Sequence, residues 1–507
     1  MASRAADPVR PASPPLTDFA AAQDAAATDA ALVAELARIV GAAHVRDRFA
    51  ERLAYARDRL PFATFRVRAG RLPATLPRAV VSPGTADELA AVVRVAQARG
   101  VPMLPYGAGS GVLGGAIPLV RELVIDLKRL NRVVALDEID GTVTVEAGLN
   151  GGQLEALLDA RGWTAGHLPQ SLHMSTVGGW AACRGAGQVS TRYGKIEDIV
   201  IGLKAVLPDG RPLEVRPVAR RAVGPSIKDL LIGAEGVLGI VTELTLRIWR
   251  KPEAELPAVL VFPSLEAALA AARGIMQAEL RPAVVRIYDE SESRQRGEGL
   301  GALEDRPFLA ILSFSGPRRL AETERLLALE IAAAQGAVEV DDAPYRHWQA
   351  HRYESYSPKW QSTGHYMDTI EITGAWSALP AMYARMRAAA LDVHPGVHFG
   401  CHWSHVYPEG ACQYMTLRLP PIEDAAALSL HRRLWAEITA LCLELGGSLS
   451  HHHGVGLFRG PWLRAELNTG HDLIQALKDV VDPRNLMNPG KLGLRPAPGA
   501  VTLDEIG

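Results

Sequence analysis

The chain has 507 residues, of which 48% are hydrophobic and 22% are charged, and its formal net charge is -2. This length exceeds what one hydrophobic core supports, so two or three ordinary globular domains are expected. Because the charge is nearly balanced and no basic block occurs, nothing indicates a nucleic-acid partner or an anionic membrane.

The cysteines and the N-terminal residues indicate in which cellular compartment the protein is expected. Four scattered cysteines without a C-x-x-C pair favour a reducing environment and no disulfide framework. No apolar run approaches the length of a membrane span, and the first residues lack the pattern of a secretory signal. We therefore expect a cytoplasmic protein without a transmembrane segment, for which peripheral membrane contact stays open. The Ala- and Pro-rich residues up to about Pro15 are expected to be disordered.

The first half of the chain alternates between helical and strand patterns. Helical periodicity runs over residues 28–59, and Thr85 with Glu88 forms a capping box before a helix over 86–98. A further helix is predicted at 152–161. The predicted strands lie at 79–81, 101–106, 123–126, 132–137, 142–146, 199–208 and 213–216.

From about residue 251 a second set of elements begins. Helical patterns at 265–278 and 320–335 are interleaved with strand patterns at 283–288 and 308–314. This alternation predicts a separate α+β layer.

The most informative stretch is residues 167–198, HLPQSLHMSTVGGWAACRGAGQVSTRYGKIED. It has little helical periodicity, and glycines such as Gly178 and Gly179 permit close approach of the backbone to a ligand. A loop of this length inside a compact domain is usually functional or disordered. The apolar Val177, Trp180 and Ile196 argue against disorder, so we expect the segment to lie against a large, flat ligand.

A glycine loop at 107–115, GAGSGVLGG, contains the spacing G-x-G-x-x-G from Gly109 to Gly114. That spacing alone is a weak sign of dinucleotide binding. A Rossmann unit needs a helix directly after the loop, whereas here a strand pattern follows and the helix comes before. Two interpretations stay open: a nest of N–H groups facing a pyrophosphate, or a tight connection between strands.

Several motifs then occur in the order found in one flavoprotein superfamily. They are the loop at 105–114, STVGGW at 175–180, YGKIED at 193–198, IGAEGVLGIVTE at 232–243 and NPGKL at 488–492. Together they resemble the PCMH-type (vanillyl-alcohol oxidase-like) FAD-binding superfamily. Within it, GHLPQSLHMSTVGGW at 166–180 is similar almost throughout to the flavin segment of the alkyldihydroxyacetonephosphate (alkylglycerone-phosphate) synthases. YPEGACQY at 407–414 and GSLSHHHGVGLFRGPW at 447–462 resemble their active-site segments.

The resemblance covers about residues 46–492 and implies an α+β fold. It implies a PCMH-type FAD-binding domain at 75–255, an α+β cap domain at 256–445 and a helical C-terminal segment at 446–495 that returns to the flavin. These follow an N-terminal extension at 1–74, which is partly disordered and then helical.

The resemblance also implies FAD, bound largely through the backbone. Since the glycine loop contains neither His nor Cys, we expect non-covalent FAD, with Cys183 and His167 as the alternatives for covalent attachment. The implied FAD-binding residues are Pro105, Gly107, Ala108, Gly109, Ser110, Gly111, Pro169, Gln170, Ser171, Ser175, Thr176, Gly178, Gly179, Glu235, Gly236 and Ile240.

The triplet His451, His452 and His453 is the candidate proton-transfer cluster. On an extended backbone His451 and His453 would face one side and His452 the other. In the resembling synthases the triplet lines the substrate cavity together with a tyrosine that matches Tyr414. Imidazole can carry protons near neutral pH, and a buried tyrosine can orient or protonate a substrate oxygen. A surface histidine run and a core tyrosine are the structural alternatives.

Two basic residues complete the implied site. An active-site arginine of the synthases matches Arg220, and the arginine that holds their substrate phosphate has Lys359 as its nearest match. Lysine binds phosphate as a point charge and not as a bidentate group, so phosphate binding is expected to be weaker.

The histidines could also coordinate a metal ion. His402 and His405 have H-x-x-H spacing and could bind zinc or iron together with the triplet. Related FAD-linked 2-hydroxyacid dehydrogenases that use such a metal have a glutamate where His452 stands. We therefore expect no metal, with this cluster as the alternative.

For function, the resemblance implies acyl-to-alkyl exchange on acyl-dihydroxyacetone phosphate, as in ether-lipid synthesis. In that family chemistry the substrate forms an adduct at flavin N5, a fatty acid leaves and a fatty alcohol replaces it without net redox change. The alternative is an FAD-linked oxidoreductase that dehydrogenates a 2-hydroxy acid such as D-lactate or glycolate, which the NPGKL ending favours. The presence of Tyr414 together with the three histidines argues against a flavin-binding protein without catalytic activity. We expect a small-molecule or lipid substrate and a homodimer.

Overall fold

A computed structural model describes residues 29–63, 65–66, 70–354 and 364–506. The disorder expected up to Pro15 falls outside these residues. The N-terminal helix is shorter than predicted. It spans Ala30–Val40 (α1) and ends at Gly41, whose φ of 86° is unfavourable for other residues. The chain then forms a short strand and a second helix at Phe49–Ala54 (α2), so the pattern over 28–59 is two helices and not one.

The first sheet has the order β1-β2-β4-β3 and is parallel except for its first strand. The helix at Ala86–Arg99 (α3) makes the crossover from β2 to β3. Thr85 Oγ1 caps it by accepting from Glu88 N at 3.1 Å, but the Glu88 carboxylate accepts from Gly84 and not from Thr85. The predicted capping box is therefore only half formed. The strands are β1 (Val45–Arg46), β2 (Ala79–Val81), β3 (Met103–Tyr106) and β4 (Leu123–Asp126).

The second sheet is antiparallel, with the order β5-β6-β10-β8-β9. Val143 and Val145 alternate with more exposed residues and face the core, as expected for a sheet with one buried face. Its strands are β5 (Val133–Asp137), β6 (Thr142–Glu146), β8 (Val200–Val206), β9 (Pro212–Val215) and β10 (Ile240–Arg247). A two-stranded ribbon joins β7 (Trp163–Thr164) to β11 (Trp249–Arg250), and two helices accompany the sheet, at Gly151–Asp159 (α4) and Ile227–Leu231 (α8).

The segment at 167–198 is not the structureless loop that we expected. It carries one turn of 3-10 helix at Leu172–Met174 and three short α-helices: Val177–Ala182 (α5), Ser190–Tyr193 (α6) and Ile196–Ile199 (α7). None is long enough to produce visible periodicity in the sequence. Val177, Trp180 and Ile196 are buried in the core beneath the second sheet, which confirms the prediction that this segment is ordered.

The cap has a seven-stranded antiparallel sheet with the order β15-β12-β14-β13-β17-β18-β16. It carries the largest hydrophobic core of the described residues. Its strands are β12 (Ala254–Phe262), β13 (Val284–Tyr288), β14 (Phe308–Gly316), β15 (Val338–Val340), β16 (Tyr366–Ala375), β17 (His398–Val406) and β18 (Gly410–Leu419). The helices that cover it are α9 (Leu265–Gln277), α10 (Glu290–Arg296), α11 (Arg318–Ala333), α12 (Ala343–His351), α13 (Leu379–Val393) and α14 (Asp424–Glu444).

The C-terminal residues return to the first sheet. After the helices at Gly460–Leu467 (α15) and Thr469–Val481 (α16), Asn488 N donates to Met103 O at 2.7 Å. Its side chain donates to Glu235 O at 2.7 Å, and Lys491 Nζ donates to Ile117 O at 2.6 Å. The chain ends with a short helix at Leu503–Ile506 (α17). The domain limits at 75–255, 256–445 and 446–495 stay predictions.

Candidate active site

A cavity of about 1370 Å³ lies between the glycine loop, the segment at 167–198 and the cap sheet. Common small-molecule sites enclose about 300–1,000 Å³, so this one can hold a large cofactor together with a substrate. Every residue predicted to bind FAD, from Pro105 to Ile240, lines the cavity. Tyr414, His452 and His453 line it as well, whereas His451 and Arg220 do not.

The glycine loop offers a row of free backbone donors to this cavity. Among the described residues, none accepts a hydrogen bond from the N–H groups of residues 107–111. A Cβ at Gly109, whose φ is 63°, would collide with the Tyr106 hydroxyl, and a Cβ at Gly107 would lie 2.5 Å from Thr176 Oγ1. Consecutive unpaired N–H groups on a glycine-rich turn form an anion-binding nest. The loop therefore fits the pyrophosphate of FAD and not a plain connection between strands.

Glu235 ties the cavity floor to the histidine segment. Its backbone is left-handed, with a φ of 46°, and its carboxylate accepts from Val455 N at 2.7 Å and Gly456 N at 2.8 Å. Burial raises the pKa of this carboxyl to about 7, although the two N–H groups oppose that rise. Besides lining the cavity, Glu235 thus holds the loop that follows the triplet.

The two candidates for covalent attachment, His167 and Cys183, both line the cavity. His167 is fully buried with its ring centre 4.6 Å from that of Trp180, and burial lowers its pKa to about 3. The Cys183 thiol donates to Gly179 O at 3.2 Å, and burial raises its pKa to about 12. A thiol that stays protonated at neutral pH is a weak nucleophile, so the geometry favours non-covalent FAD.

We expect the purified protein to be yellow and to release intact FAD when it is denatured. The physical reason is that the glycine loop would contact the cofactor through N–H groups and that the Cys183 thiol stays protonated. Absorbance of the supernatant after acid precipitation measures the released flavin. Cys183→Ser should release the same amount, and flavin that remains with the precipitated wild-type chain would contradict non-covalent binding.

The histidine triplet does not follow the alternation of an extended strand. Its backbone bends around the Glu371 carboxylate, which accepts N–H groups from His451 and, at 3.1 Å, from His453. The neighbouring His452 and His453 rings therefore both line the cavity, with centres 4.5 Å apart. The His451 ring turns away, and its Nε2 lies 2.9 Å from Tyr407 Oη. Our assignment of His451 and His453 to one side was wrong because the backbone is bent here.

A buried ion pair holds this bend. Glu371 is fully buried on β16, and Arg459 Nη1 donates to its carboxylate at 2.7 Å. Burial alone would raise the pKa of Glu371, but Arg459, His453 and His451 lower it to about 2. Sequence reasoning missed both partners. Two features of the sequence could have indicated this pair: Glu371 lies between two isoleucines in a strand, and Arg459 lies in the GLFRG turn.

Tyr414 and the imidazoles form a set of proton donors and acceptors. The Tyr414 ring centre lies 5.9 Å from that of His452 and 5.6 Å from that of His453. Removal from solvent raises the pKa of Tyr414 above its usual value and lowers the pKa of both histidines. At neutral pH the phenol is therefore a donor, and the neutral imidazoles can accept a proton.

The possible metal ligands differ from the predicted set. Ring nitrogens of His405, His451 and His452 lie within 4.8 Å of one another. His402 is not part of this group, and its Nε2 accepts from Arg286 at 2.9 Å. The H-x-x-H pair is split by an irregularity in β17 at His405, whose φ is 50°. The expectation that no metal is bound stays a prediction, which metal analysis of the purified protein can test.

The two basic residues predicted to act on the substrate are not in the cavity wall that the structure describes. Arg220 lies on an exposed loop between β9 and α8, and its predicted catalytic role stays a prediction. Lys359 lies outside the described residues. Six arginines that the sequence did not single out line the cavity among the described residues: Arg57, Arg59, Arg286, Arg296, Arg352 and Arg418.

Comparisons with known proteins identify the family of this chain. The profile "FAD binding domain" matches residues 77–216, and "FAD linked oxidases, C-terminal domain" matches 251–492. Alkyldihydroxyacetonephosphate synthase of Dictyostelium discoideum is 30% identical over 461 residues, 84% of this chain and 75% of the relative. Glycolate oxidase subunit GlcD of Bacillus subtilis (strain 168) is 26% identical over 463 residues, 90% of this chain and 96% of the relative.

Among solved structures, an alkyldihydroxyacetonephosphate synthase superposes with a TM-score of 0.77 at 26% identity. The match covers 91% of this chain and 85% of that chain. The predicted resemblance, the α+β PCMH-type fold, the FAD cofactor and the enzymatic role are thereby confirmed. The chain belongs to the FAD-linked oxidases with a PCMH-type (vanillyl-alcohol oxidase-like) fold and is an FAD-dependent enzyme that resembles the alkyldihydroxyacetonephosphate synthases.

Proposed function

We propose that the enzyme exchanges the acyl chain of an acyl-dihydroxyacetone phosphate for the alkyl chain of a fatty alcohol. The observation that carries this proposal is the set of Tyr414, His452 and His453 around one cavity wall. The side chains include one phenol that stays protonated and two imidazoles that stay neutral. The exchange needs no external oxidant or reductant.

The exchange has a simple balance of bonds and protons. The bond from C1 of the dihydroxyacetone unit to the acyl oxygen breaks, and a bond from C1 to the alcohol oxygen forms. His453 or His452 would accept the proton of the alcohol, and the Tyr414 hydroxyl would donate a hydrogen bond to a substrate oxygen. When bound, FAD would supply the electrophilic ring on which the exchange takes place, and it would end the cycle oxidised.

The second candidate is dehydrogenation of a 2-hydroxy acid. Similarity to the glycolate oxidase subunit supports it, as do the converging ring nitrogens of His405, His451 and His452, which could hold a metal beside the substrate hydroxyl. In this reaction a neutral imidazole would take the hydroxyl proton while a hydride leaves the α-carbon. The flavin would then need an electron acceptor in every cycle.

One anaerobic comparison separates the two reactions. We expect that D-lactate, glycolate and D-2-hydroxyglutarate leave the flavin oxidised, as followed by its absorbance. We expect an acyl-dihydroxyacetone phosphate with a long-chain alcohol to yield free fatty acid and an alkyl product in equal amounts. Rapid bleaching of the flavin by a hydroxy acid, without any acyl-to-alkyl exchange, would contradict the exchange reaction and favour the dehydrogenase.

Other finer expectations stay predictions: the homodimer, peripheral membrane contact and the lipid nature of the substrate. Among the described residues, no helix combines the length and the apolar character needed to cross a membrane.

A further inference from the structure

Residues 57–60 of the N-terminal extension, RDRL, lie directly against the glycine loop. They follow α2, and they precede residues 77–216, which the FAD-binding profile matches. All four line the cavity together with residues 107–111 of the loop. Part of the wall beside the loop therefore comes from outside the matched FAD-binding domain.

Backbone hydrogen bonds hold this segment on the loop. Arg59 N donates to Gly111 O at 2.9 Å, and the Tyr106 hydroxyl donates to Arg57 O at 3.4 Å. The same hydroxyl is the group that a Cβ at Gly109 would hit, so the loop, the tyrosine and the extension lie in mutual contact. Because the two arginines contribute backbone atoms to these bonds, the position of the segment does not depend on their side chains.

The four side chains alternate between exposed and buried. Asp58 and Leu60 are buried, whereas Arg57 and Arg59 are exposed. The Asp58 carboxylate accepts from Leu60 N at 2.9 Å and from Ala116 N at 3.4 Å, so its oxygen atoms are directed at backbone donors. The two guanidinium groups are therefore the part of the segment that can reach a ligand in the cavity.

The Arg59 side chain reaches from the glycine loop to the segment at 167–198. Its Nη1 donates to the Met174 sulfur at 3.0 Å, and Met174 also lines the cavity. Arg59 thus contacts both chain segments that we expect to hold FAD. A thioether is only a weak acceptor. A phosphate oxygen in its place would form a shorter and stronger charge-assisted hydrogen bond.

The balance of charge at the loop favours an anionic ligand. Each phosphate of the FAD pyrophosphate carries a full negative charge, whereas the N–H groups of the loop carry only partial positive charges. Lys128 lies nearby, with its Nζ 3.0 Å from Gly107 O, but it already pairs with Asp126 at 2.7 Å. Within the described part of the chain, no carboxylate oxygen lies within 4.0 Å of the Arg57 guanidinium.

We propose that Arg57 and Arg59 pair with the pyrophosphate of FAD, so that the N-terminal extension completes the cofactor site. The glycine loop would supply N–H donors, and the arginines would supply the counter-charge. Guanidinium groups suit this role because each can make two parallel hydrogen bonds to phosphate oxygens. The proposal concerns the cofactor and is independent of whether the enzyme exchanges acyl chains or oxidises a hydroxy acid.

The first test measures how tightly the FAD-loaded protein retains its cofactor. Flavin fluorescence after serial dilution gives the Kd for FAD, at about 0.01 M and about 1 M salt. We expect Arg57→Met and Arg59→Met each to raise Kd by about 10-fold at low salt, the lower end of the range for hydrogen bonds to charged groups. The difference from wild type should shrink at high salt, because ions screen the attraction between exposed charges.

The second test reads the pyrophosphate itself. In phosphorus NMR spectra of the FAD-loaded protein, the resonances of the bound pyrophosphate should move in both Met variants. The visible absorbance spectrum of the flavin ring should stay unchanged, since the ring would lie away from the glycine loop. Phosphorus resonances at their wild-type positions in both variants would overturn the proposal.

Matched variants separate lost charge from a disturbed segment. Arg38→Met removes an exposed arginine of the same extension, whose Nε donates only within α1, to Ala34 O at 3.4 Å, and it should leave Kd unchanged. Arg57→Lys and Arg59→Lys keep the charge and should recover part of the affinity, also where a Met variant loses FAD entirely. Kd values that stay at the wild-type level in both Met variants would overturn the proposal. So would losses that are equal at both salt concentrations and are not recovered by lysine, because they would show that the side chains act through packing.

Discussion

Tyr414→Phe should lower kcat by about 100-fold or more, in line with the usual contribution of a positioned acid or base. The change deletes one hydroxyl and keeps the ring, so stacking on His402 at 4.7 Å should survive. FAD content should stay at the wild-type level, because the glycine loop that we expect to hold the cofactor lines a different part of the cavity. Steady-state exchange rates and the flavin-to-protein absorbance ratio are the two measurements.

Tyr383→Phe is the matched control for this experiment. Tyr383 is also a cap tyrosine with a raised pKa, and its hydroxyl lies 3.3 Å from Asp289 and away from the cavity wall. Its removal should leave kcat close to the wild-type value. If Tyr414→Phe also turns over at the wild-type rate, Tyr414 is a packing residue of β18 and the proposed proton donor must be sought among other groups.

The sequence could bring together the residues that we expect to bind FAD, because their predicted contacts lie in short stretches of backbone that all line one cavity. Gly107, Gly109 and Gly111 are expected to act through their N–H groups and their lack of a Cβ, and the positions of glycines are visible in a single sequence. The motif order then supplied the remaining segments, from Pro169 to Ile240. These segments are far apart along the chain, but each motif can be identified from its own residues alone.

The arrangement of the candidate proton-transfer residues could be predicted only in outline. The sequence indicated the histidine triplet and Tyr414, but the orientation of the rings depends on Glu371, which is 80 residues away from His451 along the chain. Alternation along a strand is the natural assumption without that contact. The same applies to Arg286 and Arg352, whose proximity depends on how β13 and α12 pack around Trp348. Contacts between distant segments have no local signature.

Glu371→Gln should both destabilise the protein and reduce turnover. It removes the charge that Arg459 faces in a fully buried pair, and breaking such a pair by removing one partner costs about 3–5 kcal/mol. The bend that directs His452 and His453 into the cavity should loosen as well, so kcat should fall more than the flavin content does. Urea unfolding midpoints of the FAD-loaded protein and kcat at neutral pH test both parts.

The pH dependence of folding stability distinguishes the Glu371–Arg459 ion pair from ordinary apolar packing. The pKa of Glu371 is about 2 in the folded chain and about 4.3 when unfolded, so the folded state binds fewer protons between these values. Its stabilising contribution is complete above the unfolded pKa and is lost as the pH falls toward 2. The difference in stability between wild type and Glu371→Gln should therefore be largest at neutral pH and shrink below about pH 4.

Glu444→Gln is the control, because it removes an exposed partner of Arg385 and should cost little stability at any pH. A pH-independent difference for Glu371→Gln would mean that the side chain acts through its shape, and the carboxylate would no longer explain how the histidine bend is held.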